Sequence, residues 1–293
     1  MPPARRSAAD HGGIVIQIEV VPGVPQVVKF RMAQKVPTQP PYFTAAFWVD
    51  GLQIDTGCAH TAPQFVSALK DWSVEQVVNT HSHEDHIGAN AEVQEKFGCP
   101  IHAHPDALPI LQNPRLQPLQ PYRRLFWGWP KPSRGEPIGE WVETKHYRFQ
   151  VIYTPGHSPD HICLFEPEQG WLFTGDSYVG GKDRALRQGY DIYGIIASLK
   201  KMAELPVRAI FAGSGGSVRV NGVDPLREKV TYLEELGERI RSLRDQGLSA
   251  RRIRRQVFGR EQWITYVTLG HFSGMRLVQA YLAAPPSVDG GSA

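Results

Sequence analysis

Short hydrophobic runs broken by turn residues fill the first 55 positions of the chain. The runs Ile14–Val21, Gln26–Met32 and Tyr42–Val49 are rich in Val, Ile, Phe and Tyr and are separated by Val-Pro-Gly and Thr-Gln-Pro-Pro, which predicts strands. Asp50-Gly51 between two apolar runs predicts a tight hairpin with Leu52–Ile54 as the returning strand. Thr61 as a cap, Pro63 in the first turn, and Phe65, Val66 and Leu69 at helical spacing predict a helix. A strand over Gln76–Asn79, a helix over Ala89–Phe97 stopped by Gly98, and a strand over Cys99–Ala103 follow. The strand pattern returns from Trp141 to Phe173 as three or four short segments, then a helix over Tyr190–Met202 and a strand over Val207–Phe211. After Pro225 the pattern changes: Leu226, Val230, Leu233, Leu236, Ile240 and Leu243 step by three or four, an amphipathic helix. Gly247 ends it, Ser249 is placed to cap a second helix, and Ser273 a third that carries Leu277, Val278 and Tyr281. Two strand-rich halves with interspersed helices predict a layered α/β sandwich, with a helical C-terminal extension.

Residues 113–137 fit neither period. They hold six prolines and the run Leu125-Phe126-Trp127-Gly128-Trp129, and read as a long irregular loop. Such a loop inside a compact domain is more often a lid or binding loop than a spacer. Tyr122, Phe126, Trp127 and Trp129 are therefore the candidate wall for an apolar part of a substrate. The competing reading is a patch that packs onto the sandwich or onto a second subunit, a possible homodimer.

Composition narrows the class. Of 293 residues, 41% are hydrophobic and 21% charged, enough apolar material for a sizeable core, so overall disorder is excluded. The net charge of +3 is small for a binder of nucleic acid held by charge. The arginines between Arg239 and Arg260 read as the solvated face of two helices before they read as an RNA surface. Three dispersed cysteines, Cys58, Cys99 and Cys163, without a Cys-x-x-Cys pair, argue against a disulfide scaffold and for a reducing compartment. No signal-like or membrane-spanning apolar run is present, so a cytoplasmic location without membrane attachment is expected.

The chemistry concentrates in Asn79-Thr80-His81-Ser82-His83-Glu84-Asp85-His86, three histidines and an aspartate within six residues. Alternate residues of an extended stretch point the same way, so His81 and His83 can meet at one metal while Asp85 and His86 face a second. Imidazole and carboxylate suit zinc, iron or manganese. Three further polar turns lie at predicted strand ends: Asp55 in Ile54-Asp55-Thr56-Gly57, His157 in Thr154-Pro155-Gly156-His157-Ser158-Pro159-Asp160-His161, and Asp176 in Gly175-Asp176-Ser177. Each alone is an ordinary turn residue; their joint occurrence in this order makes them a candidate site. His161, which follows the third ligand motif, either supports the ligands from behind or packs, with packing the favoured reading, and His11, His60 and His146 are structural or surface groups. His102 and His104 alternate on a strand but lack a suitably spaced carboxylate.

In these motifs, over roughly residues 14–216, the chain resembles the metallo-β-lactamase fold superfamily. The resemblance implies an α/β fold, an αββα sandwich of two mixed β-sheets flanked by helices over residues 1–222, with the helical extension at 223–293 packed on it. It implies a first metal on His81, His83 and His157, a second facing Asp85 and His86, Asp176 as the bridge, and Asp55 orienting the histidine-rich loop. The sequence looks most like the glyoxalase II-type thioesterases and lactonases. One departure stands out. The family pattern supplies a last histidine where this chain has Ser214, in Ala212-Gly213-Ser214-Gly215-Gly216. A serine hydroxyl is a poor zinc ligand. His271 is the only histidine further along, and either replaces the missing imidazole or packs and touches substrate.

The resemblance implies a metal-dependent hydrolase of a small-molecule ester-like bond (thioester, lactone or carboxylic ester), holding one or two zinc ions, with iron or manganese as alternatives. Asp85 would orient the attacking water or take its proton. Two alternatives are a mononuclear iron oxygenase of the persulfide dioxygenase type, using His81, His157 and Asp176, and a low-turnover binding or regulatory member of the fold.

Overall fold

The computed structural model describes residues 6–37, 41–214 and 218–283. The expected break at 38–40 and the Gly215-Gly216 pair lie outside these described residues. The first sheet has eight strands that neighbour one another in chain order: β1 (Arg6–His11), β2 (Ile14–Val21), β3 (Val24–Gln34), β4 (Thr44–Val49), β5 (Leu52–Ile54), β6 (Gln76–Val78), β7 (Ile101–Ala103) and β8 (Glu136–Pro137). Pairing is antiparallel from β1 to β5 and parallel from β5 to β8. Parallel neighbours need crossovers. Helices α1 (Ala62–Ala68) and α2 (Asn90–Phe97) supply two of them, and α3 (Leu108–Gln112) and α4 (Pro121–Phe126) lie in the third. The β4–β5 hairpin turns at Asp50 (φ 48°) and Gly51 (φ 85°), the left-handed pair that a two-residue turn requires.

The second sheet takes β9 (Trp141–Glu143), β10 (Arg148–Tyr153), β11 (Ile162–Glu166) and β12 (Trp171–Gly175) in antiparallel sequence. Strand β13 (Leu186–Arg187) leaves this sheet, β14 (Ala209–Ala212) pairs parallel with β12, and β15 (Val218–Arg219) closes the edge.

Alternation along the strands builds three apolar layers. Phe47, Val49, Leu52 and Ile54 face Phe149, Leu164, Phe173 and Phe211 between the sheets. Val28, Phe30, Met32 and Ala46 pack outward on Phe65, Leu69 and Val93 of the first helical layer. Cys163, Phe165, Leu172 and Ile210 pack on the opposite helices, α5 (Ile192–Ala203), α6 (Asp224–Asp245), α7 (Ala250–Phe258) and α9 (Gly274–Leu282), through Leu199, Met202, Leu233, Ile240, Ile253 and Leu277. The observed α/β architecture is thus two mixed sheets flanked by helices. Because both faces are covered at the centre of the second sheet, β11 and β12 are buried at every position, whereas β9 and β10 towards its edge expose alternate residues.

Several local expectations need correction. Thr61 does not cap α1. A short 3-10 turn over Ala59–Thr61 precedes the helix, and the Thr61 hydroxyl donates to Cys58 O at 3.0 Å. Ser249 precedes α7 without a side-chain cap, whereas Ser273 caps α9 by accepting from Arg276 N. Residues 113–137 are not wholly irregular, since they contain α4. Helix α8 (Trp263–Val267) and the pairing of β16 (Phe272–Ser273) with β13 had no periodic signal in the sequence. Among the described residues no helix is long and apolar enough to cross a membrane.

Candidate metal centre

Four polar turns leave the sandwich at one edge, after β5, β6, β10 and β12, and place their side chains together. A backbone bond joins the two sheets here, Ile162 N donating to Thr80 O at 2.8 Å, and Thr154 N closes the turn between β10 and β11 by donating to His161 O at 2.9 Å. The histidine-rich turn after β6 is held by Thr56 N donating to His86 O (2.8 Å) and by a reciprocal amide pair between Asn79 and Asn90. Gly88 permits this closeness: a Cβ there would stand 2.3 Å from the Cys58 carbonyl carbon.

Three ring nitrogens converge. His81 Nε2 and His157 Nε2 each lie 2.9 Å from His83 Nδ1, and all three residues are buried. Burial pushes all three imidazoles below the usual histidine range, His157 to about 3, so all three are neutral and able to ligate. On the other side His86 Nε2 lies 3.4 Å from Asp176 Oδ1 and 3.8 Å from Asp85 Oδ2, and Asp176 Oδ2 is 3.6 Å from His157 Nε2. His86 Nε2, Asp176 Oδ1 and Ser214 Oγ are all buried without a hydrogen-bond partner. Two groups of three donors thus lie within 4.8 Å, His81–His83–His157 and His81–His86–Asp176.

Electrostatics favours a cation here. Burial opposes the charge on His86, yet Asp176, Asp55 and Asp85 around it hold its imidazole above the usual range. Burial likewise opposes the Asp176 charge, and His86 and His157 overcome it to hold the carboxyl low. Burial, with Glu84 and Asp176 nearby, pushes Asp85 up to about 7 against the pull of His86. Converging neutral imidazoles, orphaned acceptors and an excess of carboxylate are the donor set that a divalent metal completes.

Asp55 fixes the orientation of this set. It sits at φ 58°, a strained conformation for a residue with a side chain. Its Oδ1 accepts from Thr80 N (2.8 Å), and its Oδ2 from the Thr80 hydroxyl (2.8 Å) and lies 2.8 Å from His86 Nδ1. The His86 proton is thereby held on Nδ1 and Nε2 is left as the donor atom. Thr80 Oγ1 also lies 3.0 Å from His81 Nδ1. His161 takes the supporting role and not the favoured packing one: its Nε2 accepts from Asp176 N at 3.1 Å, and its Nδ1 faces Thr154 and Ser177 hydroxyls. Asp160 Oδ2 accepts from Ser82 N at 2.8 Å.

Ser214 stands at this edge, bridged to Thr44, with Gly213 approaching His86 closely. His271 does not fill the place of an imidazole there. Its Nδ1 lies 2.9 Å from the Tyr122 hydroxyl, and it belongs to neither donor group.

A cavity of about 110 Å³ opens over the cluster, lined by His83, Asp85 and Asp176 on the floor. Tyr122, Phe126 and Trp127 line it as expected for a wall, and Trp129 does not: the Arg115 guanidinium stacks on its ring 4.1 Å away. Tyr42, Arg187, Tyr190, Trp263, Ile264, Thr268 and Phe272 complete the lining. Sequence reasoning missed these seven, because only the β13–β16 pairing and the fold bring them to the site. Glu84, the variable member of the histidine motif, forms a buried bidentate pair with Arg123 of α4, which ties the wall to the floor.

Comparison with known proteins gives a consistent picture. The model of the metallo-beta-lactamase superfamily matches residues 54–214. A hydroxyacylglutathione hydrolase of Idiomarina loihiensis is 27% identical over 195 residues, covering 66% of this chain and 68% of the relative. One from a Polaromonas species is 29% identical over 150 residues, half of each chain. Among solved structures, TTHA1623 in a di-iron-bound form aligns with TM-score 0.51 and 27% identity, over 66% of this chain and 96% of that one. A metallo-beta-lactamase family protein from Thermus thermophilus aligns over 95% of this chain and 98% of its own, with TM-score 0.59 and 19% identity, a likeness of fold.

Proposed function

This chain belongs to the metallo-beta-lactamase superfamily, and from that premise we propose that it hydrolyses an ester-like bond (thioester, lactone or carboxylic ester) with metal held at the strand-end cluster. One observation carries the reading: three convergent imidazole nitrogens and the orphaned His86 Nε2 and Asp176 Oδ1 form one cluster, which reaches a cavity with a largely apolar wall through His83, Asp85 and Asp176. His81, His83 and His157 would hold a first metal; Asp85 and His86 a second, weaker one; Asp176 would bridge. A bound divalent metal supplies Lewis-acid polarisation of a carbonyl and lowers the pKa of a coordinated water. Asp85 lines the cavity and would orient the attacking water or accept its proton at Oδ2. Asp55 keeps His86 in the ligating tautomer, and His161 holds the backbone of Asp176 in place. Tyr122, Phe126 and Trp127 exclude water and receive the apolar part of a small-molecule substrate.

The hydroxyacylglutathione hydrolases among the relatives support an acyl substrate, and the di-iron form of TTHA1623 supports iron as a candidate metal beside zinc. A metal analysis of the purified protein beside a thioester, lactone and ester panel tests the proposal. Turnover that tracks metal content supports it, and a metal-replete protein inert across the panel rejects it. The mononuclear iron oxygenase reading draws on Ser214, which leaves the second donor group without its last imidazole. It requires oxygen uptake during turnover, whereas hydrolysis proceeds under argon.

A further inference from the structure

The cavity carries a cation that the hydrolytic chemistry does not use. Arg187 on β13 lines it, largely buried, and forms no ion pair among the described residues. Its Nε is buried without a hydrogen-bond partner. Its Nη1 makes two long contacts, 3.5 Å to His83 Nε2 and 3.4 Å to the Tyr190 hydroxyl. The other arginine of the cavity region, Arg123, is already neutralised by Glu84. Tyr190, Glu84 and Tyr122 around it support the Arg187 charge against burial, but among the described residues no carboxylate bonds to the guanidinium and its Nε is left without a partner, so the position is open to an anion.

The protonation pattern sharpens the point. His83 presents Nδ1 to His81 and His157, so a metal on that nitrogen leaves the proton on Nε2. Nε2–H then cannot accept from Arg187, and two donors face each other. The Tyr190 hydroxyl lies 3.2 Å from His157 Nε2, and it too loses that acceptor when the nitrogen ligates. The Trp127 indole N–H, in the same lining, is buried and unpartnered. Arg187, His83 and Tyr190 therefore form a patch in which donors outnumber acceptors, the Tyr190 hydroxyl accepting from Arg187 Nη1 at 3.4 Å. It lies one imidazole width from the ligating atoms, beside the reacting centre.

We propose that Arg187, with Tyr190 and His83 Nε2–H, binds an anionic group of the substrate, so that the enzyme acts on ester-like compounds carrying a carboxylate or similar anion a few bonds from the scissile carbonyl. This rests on the hydrolase reading for the reaction and adds the substrate's charge. The β13–β16 pairing, Arg187 opposite Phe272, makes the C-terminal segment the support that fixes the anchor.

The test uses the metal-loaded protein and a matched pair of chromogenic esters, 4-nitrophenyl hydrogen adipate and its neutral methyl ester, read by nitrophenol release. The expected result is a wild-type kcat/KM higher for the anionic member by roughly 10- to 100-fold, the worth of a charge-assisted hydrogen bond. Arg187→Met brings the ratio close to one, and Arg187→Lys, which keeps the charge, retains part of it. A wild-type ratio near one overturns the inference. So does an Arg187→Met variant that lowers both substrates by the same factor, since Arg187 would then serve the reacting carbonyl or the fold. Should the wild type release nitrophenol from neither ester, the hydrolase reading fails for this class, and equilibrium binding decides the anchor separately. Naphthalene-2-sulfonate binding more tightly than methyl 2-naphthyl sulfone, by tryptophan quenching, with the difference lost in Arg187→Met, supports the anchor. Equal binding of the two probes overturns it.

Discussion

The floor and the wall of the cavity are built on opposite plans. The floor is set by strand ends: Asp55 follows β5, His81 follows β6 and Asp176 follows β12. Its members are buried, Asp176 only partly, and share short bonds, with Asp55 alone engaging Thr80 and His86 at 2.8 Å. The wall is assembled from α4, α8, β13 and the segment around β16, whose contacts are sparse and distant in sequence. Tyr122 meets His271 across 149 positions, and Trp263 remains 49% exposed. A rigid floor suits chemistry that depends on exact ligand placement, while a wall held by a few contacts can vary with substrate. The contrast therefore assigns metal content and rate to the floor, and selectivity to the wall.

The largest effect should come from the floor. Replacing His83 by Ala removes the nitrogen shared by both 2.9 Å contacts, and should cost the first metal and several kcal/mol of transition-state stabilisation, roughly a thousandfold in kcat/KM. Metal analysis and kinetics check it; a variant with full metal content and wild-type rate would break the contrast at its base. Next is the tie between floor and wall. Arg123→Met leaves the buried Glu84 carboxylate unpaired and should destabilise the fold by about 3–5 kcal/mol in denaturant unfolding, with Glu84→Leu in the same chain recovering much of it. A loss below about 1 kcal/mol would mean the pair is not the anchor described. Asp55→Asn should weaken the second metal by about 10- to 100-fold while the first stays bound, as read by metal titration. Equal loss of both metals would assign Asp55 to the whole loop. The smallest effects belong to the wall. His271→Ala should leave metal stoichiometry unchanged, and Trp127→Ala should raise KM for bulky apolar acyl groups more than it lowers kcat. A metal lost from His271→Ala would restore that histidine as a ligand.

The same contrast explains what could be read in the sequence. The floor was legible because its donors sit in short contiguous motifs at the ends of apolar runs, so a local pattern carries a local geometry. The layering was legible from the order of the elements, two strand-rich halves with interspersed helices, while the fully buried β11 and β12 carry no alternation that says which face meets which layer. The wall was not. Arg187 and Tyr190 lie in a polar stretch with no period, and only the two-residue pairing with Phe272–Ser273 gives them a place. Trp129, singled out beside Trp127, points to Arg115 instead, because the turn after α4 separates two neighbouring aromatics. For His161 the sequence leaves support and packing both open, because a lone histidine near a ligand motif carries no sign of its hydrogen bond to Asp176 N.

The most direct test of metal-dependent hydrolysis is a reconstitution titration. The protein is stripped with a chelator, then returned stepwise to zinc or iron(II) under argon, and turnover of the best substrate from the panel is measured against bound metal per chain. The account predicts that activity vanishes on stripping, returns in proportion to the first equivalent bound at His81, His83 and His157, and proceeds without oxygen. Turnover that persists in the stripped protein, or that appears only when oxygen is admitted, would contradict it.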